Sequence, residues 1–369
     1  VIDGAPPIHG GDLQAVGARY GIDPATLLDF SANVNPLGPP PALCRALEAG
    51  ARDLAELGRY PEPDAGSLRH ALGAHLDVDP EAIVVANGAA ALIGTALAAA
   101  RARACVVPTP AFSEDRHAAD ALNVAWFGVP LRLELEFALE PPRLFDAVKR
   151  HAANVCLITN PHNPTGSLAT AQMLRTLADE LRSLGASTIV DEAFIDYAPA
   201  ASLTRFAAEH SGPIVIRSLT KLFAVPALRV GYAVAAPSVA RRMRALLPSW
   251  PVTTLAMRAL AAALDDLAYV ERSVRENEIA REILARDLRA LGFHVTASAA
   301  NFLLLTLPSG AQSAAALTRR LILAARIVVR DCSSYDGLDD GRYIRVAVRQ
   351  APENERLIHA LSAALADAG

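Results

Sequence analysis

Lysine is almost missing from this 369-residue chain: Lys149 and Lys221 stand against 33 arginines. Arginine serves wherever a solvated cation is needed, so a surviving lysine asks for a reason. Cysteine is scarce as well. The four, Cys44, Cys105, Cys156 and Cys332, are far apart, with no CxxC or Cys/His metal spacing. Cys105 and Cys156 lie in apolar, strand-like runs and read as buried free thiols. With no signal-peptide pattern, the expected location is a reducing cytoplasm. Long hydrophobic runs are absent too. The longest, residues 88–100, is too short to span a bilayer and is stopped by Arg101, so no membrane partner is expected. Charge excess is also lacking. The net charge is -4 and the arginines are spread along the chain, which gives a nucleic-acid partner no support. No internal repeat or low-complexity linker is present. The chain begins at Val1 rather than methionine, which leaves its native start open.

What is present is core: 52% of residues are hydrophobic, enough for one or two domains. Residues 1–40 are rich in Gly and Pro and read as an N-terminal arm ending in "NPLGPPP". Helices are expected over 42–57 and 66–76. A rhythm of short β-branched runs and Ala/Leu-rich helices follows: "AIVVA", "CVV", "VCLIT", "STIV", "IVIRS" and "VGYAVA". That alternation predicts an α/β fold, with a mostly parallel sheet flanked by helices on both faces. Near Pro237 the pattern changes and helices dominate from Ser238 to Leu291, including a long amphipathic one over 265–291. Then come "NFLLLTL", a helix over 314–325, "IVVR", "YIRVAV" and a closing helix. The expected organisation is an arm (1–40), a large domain (41–240) and a smaller C-terminal α/β domain (241–369).

The unusual residues collect at the carboxyl ends of the predicted strands, where open parallel sheets bind ligands. Asn87-Gly88-Ala89 follow "AIVVA", and "NPHNPTG" follows "VCLIT". Asp191-Glu192 follow "STIV", and Ser218-Leu219-Thr220-Lys221 follow "IVIR". Gly88 opening a helix offers backbone N–H groups to a phosphate, and Ser218 and Arg229 can bind the same anion. Asp191 can pair with a protonated ring nitrogen, Asn163 can donate to a phenolate, and Phe112 can stack on a flat ring. Lys221, desolvated near other cations, becomes a nucleophile toward carbonyls. Together these describe a pocket for pyridoxal 5'-phosphate.

"SLTKLFAVPALRVGY", preceded by "TNPHNPTG" and "DEAFIDY", resembles the signatures of fold type I pyridoxal-phosphate enzymes, the aspartate-aminotransferase superfamily. The resemblance covers essentially the whole chain. It implies a seven-stranded large-domain sheet, with Lys221 forming the internal aldimine. Asp191 would pair with the pyridine nitrogen and Asn163 would contact the ring hydroxyl. Phosphate would be bound by Gly88, Ala89, Ser218 and Arg229, and Phe112 would stack. Arg345 in "YIRVAVR" matches the arginine that grips a substrate carboxylate. Tyr60 matches a tyrosine that reaches a neighbouring subunit's cofactor, which implies a homodimer with shared active sites.

Within the superfamily, the arm "HGGDLQAVGARYGIDPATLLDFSANVNPLGPP" and the run "IVVRDCSSYDGL" resemble the L-threonine-O-3-phosphate decarboxylases. Histidinol-phosphate aminotransferases are the alternative. Either implies a phosphorylated small-molecule substrate. On the first, Arg330 and His9 hold the substrate phosphate with Ser31 or Asn33 nearby. Three departures from the pattern stand out. Phe194 stands where a tyrosine is common, with Tyr197 further on. Ala89-Ala90 replace polar residues after Gly88, and Asp115 stands where a second aromatic often follows the stacking one. A regulator-type binding module would need a longer leading domain than this arm, and a dead pocket would not keep both Lys221 and Asp191.

Overall fold

The computed structural model describes residues 10–366, so His9 lies outside it. Seven strands form the large sheet: β1 (Ile83–Ala86), β2 (Ala104–Thr109), β3 (Ala125–Pro130), β4 (Val155–Thr159), β5 (Ser187–Asp191), β6 (Ile214–Ser218) and β7 (Gly231–Ala235). Their spatial order is β3-β2-β4-β5-β6-β7-β1, and only β7 runs antiparallel to its neighbours. The reason is burial on both faces. Cys105 and Val107 of β2 enter one core with Leu92, Ile93 and Met243, while Val106 enters another with Leu144 and Val148. A strand covered on both sides reads as a continuous apolar run, which is why "IVVA" and "VCLIT" stand out.

The edge strand β3 has no such run, and the six predicted runs omit it. Three of its six residues are exposed, and its sequence "AWFGVP" carries both Gly and Pro. Those residues are tolerated at an edge but suppress the sequence signal. The helix expected over 42–57 is two helices, Pro41–Arg52 and Leu54–Leu57. Asp53 divides them, its side chain accepting the N–H of Glu56 at 3.0 Å as an N-cap. The helix expected over 314–325 is α-helical through Arg320 and then widens into a π turn over Leu321–Ala325.

A second, four-stranded antiparallel sheet runs Arg330–Asp331, Tyr343–Ala347, Phe302–Thr306, His294–Val295 in spatial order. The long helix Leu267–Ala290 and the closing helix Ala351–Ala366 pack with it. The arm is woven into this part: Leu28–Asp29 pairs with Ile327–Val328 in parallel, and Phe30 is wholly buried in its core. Asn35 ties the arm to the lysine segment. Its N–H donates to the Lys221 carbonyl at 3.1 Å, and its amide donates to the Leu222 carbonyl at 2.8 Å. Among the described residues no helix is long and apolar enough to cross a membrane. All four cysteines are unpaired.

Candidate active site

β1 ends at Ala86, and helix Ala89–Ala99 starts two residues after Asn87. The turn needs Gly88, whose φ is +86°, a region disfavoured for other residues. A Cβ there would lie 2.8 Å from Nη2 of Arg229, so the guanidinium sits directly over the turn. Gly231 is needed for a different reason: a Cβ on it would fall 2.5 Å from the Ala89 nitrogen. Thus β7 closes on the helix start, and Arg229 faces the exposed N–H groups. Positive dipole and guanidinium converge on one spot, an anion cradle. The Ser218 hydroxyl, at the end of β6, joins the Thr220 hydroxyl at 2.8 Å. Thr220 is a neighbour that the motifs do not single out.

Lys221 lies in the short helix Leu219–Leu222 after β6. Desolvation, then the nearby Arg345 and Arg229 cations, lower its pKa to about 8, and Asp191 partly opposes them. Its Nζ lies 5.8 Å from the Phe194 ring centroid. Asp191 ends β5, and burial raises its pKa to about 6. The Ala193 N–H, 3.0 Å from Oδ1, and the Lys221 charge favour its ionised form. Phe194 meets Phe302 edge-on at 5.0 Å and so forms an apolar wall. Tyr197 is buried beside Asn301.

The second sheet supplies the opposite wall. Arg330 and Arg345 are direct cross-strand partners and both are buried. Directly opposed residues point to the same face, so two fixed cations lie side by side. Arg345 donates to Asn163 Oδ1 at 2.5 Å and to the Ser31 carbonyl at 3.0 Å. Its guanidinium also lies 5.2 Å from the Phe302 ring centroid. Arg330 donates to the Ser334 hydroxyl at 2.7 Å and lies 5.5 Å from the Tyr335 ring centroid. Tyr335 Oη is 3.5 Å from Arg345, so one phenol touches both arginines. No spacing rule points to Tyr335. A cleft of about 520 Å³ opens beside Arg330, lined by Phe112, Glu114, His117, Trp126 and Tyr335 among others.

Other predicted residues sit differently. Ser31 meets Arg345 through its carbonyl, because its hydroxyl donates to Asp29 at 2.6 Å and accepts from the Gly11 N–H at 2.9 Å. Such local side-chain turns outcompete longer reach. Asn33 is buried, and its Oδ1 has no hydrogen-bond partner among the described residues. Tyr60 is 81% exposed and stacks on Trp250 at 4.7 Å, on the surface.

A glycine-only anion cradle, a buried acid, a near-neutral lysine and an aromatic wall fit pyridoxal 5'-phosphate. The fold and this pocket define a pyridoxal-phosphate-dependent enzyme. Residues 25–361 match the profile described as "Aminotransferase class I and II", and the chain belongs to that family. It is 37% identical to a threonine-phosphate decarboxylase of Salmonella typhimurium, across 96% of this chain and 95% of that one. It is 30% identical to a histidinol-phosphate aminotransferase of Methanopyrus kandleri, across 96% and 92%. The adenosylcobalamin biosynthesis bifunctional protein CobDQ of Leptospira interrogans is 32% identical over 96% of this chain, which spans 41% of its length. The crystal structure of histidinol-phosphate aminotransferase from Sinorhizobium meliloti in complex with pyridoxal-5'-phosphate superposes with a TM-score of 0.87. It covers 100% of this chain and 99% of that one at 21% identity.

Proposed function

We propose that this chain decarboxylates L-threonine O-3-phosphate to (R)-1-aminopropan-2-yl phosphate, as a step of cobalamin synthesis. The observation that carries the reading is the buried cross-strand pair Arg330 and Arg345. A substrate with a phosphate at one end and a carboxylate at the other has two anions to match two adjacent cations. The 37% identity to a threonine-phosphate decarboxylase supports the same choice.

When bound, pyridoxal 5'-phosphate supplies an electron sink for whichever bond at the substrate Cα stands perpendicular to its ring. The chain's residues choose that bond. Asp191 would hold the ring nitrogen protonated. Gly88, Ala89, Ser218 and Arg229 would hold the cofactor phosphate, Asn163 would meet the ring hydroxyl, and Phe112 would cover a face. Arg345 grips the carboxylate and Arg330 the substrate phosphate, so two remote anchors set the torsion about Cα. Carbon dioxide leaves and a proton returns to Cα. With a pKa of about 8, Lys221 carries a transferable proton near neutrality.

The cleft beside Arg330, at about 520 Å³, favours a second reading: an aminotransferase for a bulkier phosphorylated amine such as histidinol phosphate. One experiment separates the two. Purified protein receives threonine phosphate, or histidinol phosphate with 2-oxoglutarate. Carbon dioxide without glutamate is the expected result; glutamate without carbon dioxide overturns the proposal.

A homodimer is part of the same proposal. Tyr60 and Trp250 stack on one another while 81% and 48% exposed, and Leu54 and Leu57, shortly before Tyr60 in the chain, are 78% and 49% exposed, an unusual number of bare apolar side chains. Trp250→Glu should shift the mass measured by light scattering toward a single subunit. A wild-type protein that is monomeric at all concentrations would overturn it.

A further inference from the structure

Between Arg330 and Arg345 stands a polar group to which the chemistry above gives no task. Tyr335 is 7% exposed, and its ring packs among Phe137, Leu304, Leu338 and Tyr343. The loop that carries it is tied down. The Tyr335 N–H donates to the Cys332 carbonyl at 3.0 Å, and the Leu338 N–H donates to the Tyr335 carbonyl at 3.0 Å. Just before it, Asp331 Oδ1 accepts the N–H and the hydroxyl of Ser333 at 2.9 and 2.6 Å. The phenol is therefore held by its loop and its packing rather than drawn out by water.

Its two ends meet the two cations in different ways. The ring centroid lies 5.5 Å from the Arg330 guanidinium, within cation–π range. The oxygen lies 3.5 Å from Arg345 Nη1, a long contact in which the guanidinium can only donate. The phenol oxygen accepts there, so its own proton is left for another group. No acceptor for that proton stands among the described residues. A buried phenol ordinarily finds one.

The wall on which Tyr335 stands identifies the acceptor. Tyr335, Arg330 and Ser334 line the cleft of about 520 Å³, whereas Arg345 is not on that wall. A carboxylate has two oxygens, which one guanidinium fork can serve. A phosphate has three terminal oxygens, so the fork of Arg330 leaves one over. A neutral O–H suits that third oxygen, because it adds a hydrogen bond without adding a third buried cation.

We propose that Tyr335 is a ligand of the substrate phosphate, donating its O–H to the oxygen that Arg330 leaves unserved, and that it thereby selects a phosphorylated substrate over one with a carboxylate alone. The proposal rests on the reading of Arg330 as the phosphate anchor. No covalent bond changes; one hydrogen bond forms.

The test uses the holoenzyme, so that cofactor fills the Gly88 cradle, with inorganic phosphate and L-threonine as separate probes in calorimetry. Tyr335→Phe keeps the ring, its packing and its face toward Arg330, and removes only the hydroxyl. Phosphate should bind the variant about tenfold more weakly, L-threonine should stay within about twofold of wild type, and kcat/KM for L-threonine O-3-phosphate should fall roughly 10- to 100-fold. Cofactor affinity should not move. Equal phosphate affinity in the two proteins would overturn the proposal. So would an equal loss for L-threonine and phosphate, because the hydroxyl would then act through Arg345. Weakened cofactor binding would overturn it too, by placing the hydroxyl on the cofactor. A phosphate affinity that depends on Tyr335 in a wild type that does not turn over threonine phosphate would uphold the phosphate site and locate the failure in the decarboxylase reading.

Discussion

The two walls of the pocket are built on opposite principles. The wall from the large sheet is made of strand ends, a glycine turn and groups pulled toward neutrality, Lys221 to about 8 and Asp191 to about 6. The wall from the small sheet is made of two arginines fixed side by side on neighbouring strands. The first can exchange protons and form covalent links. The second can only bind anions, because guanidinium does not titrate in this range. On the proposed reading the large sheet carries the chemistry and the small sheet the anion contacts, with Arg345 bearing on both through Asn163 and the Lys221 pKa, and substitutions can separate them.

The sharpest separation comes from Lys221→Ala. Activity should fall by at least about 10⁴-fold, with loss of both the covalent link and the proton donor. The visible absorbance that borohydride bleaches in wild type should disappear. A variant that keeps this band would place the covalent link elsewhere. Next in size are Arg330→Ala and Arg345→Ala. Each removes a charge-assisted anchor of about 1.5–3 kcal/mol, or roughly 10- to 150-fold in kcat/KM. Arg330→Ala should leave cofactor affinity almost unchanged, whereas Arg345→Ala also loses the Asn163 contact and lets the Lys221 pKa rise. If Arg330→Ala weakened cofactor as much as substrate, the two-wall division would fail.

Gly88→Ala should act on the other wall alone. The methyl group would meet Arg229 at a φ unfavourable for alanine, and cofactor affinity should drop by about tenfold. Substrate KM at saturating cofactor is the control that should stay put. The smallest effect concerns stability. Lys221 is depressed to about 8, below its unfolded value of about 10.4. Between those values the unfolded chain binds more protons, so apo-protein stability rises with pH across that window. Lys221→Met should therefore stabilise the apo-protein at pH 7 by about 1–3 kcal/mol. Denaturant melts should show that gain shrinking toward pH 10.

Much of the large wall is legible in short stretches of sequence. "NPHNPTG", "DEAF" and "SLTK" are local strings, and each buried strand announces its own end. β3 is not legible, because an edge strand with Gly, Pro and exposed positions lacks the apolar run that marks its neighbours. The break at Asp53 depends on a side-chain cap that competes with a good helical pattern. Tyr335 and the Ser31 carbonyl are hidden for another reason. Their importance lies in contacts with Arg345, ten residues and 314 residues away along the chain. Asp115 is visible as a departure from the superfamily pattern, but its complete burial is not.

The amino-acid order alone determined which residues could do chemistry: one lysine among arginines, one acid closing a strand, one glycine opening a helix. Those are properties of single side chains and of short-range backbone geometry, and a string of letters records them. Tertiary structure decided the charge states and the spacing. A lysine becomes a nucleophile only when packing strips its water, and two arginines fifteen residues apart in the chain stand side by side only when antiparallel pairing sets them abreast.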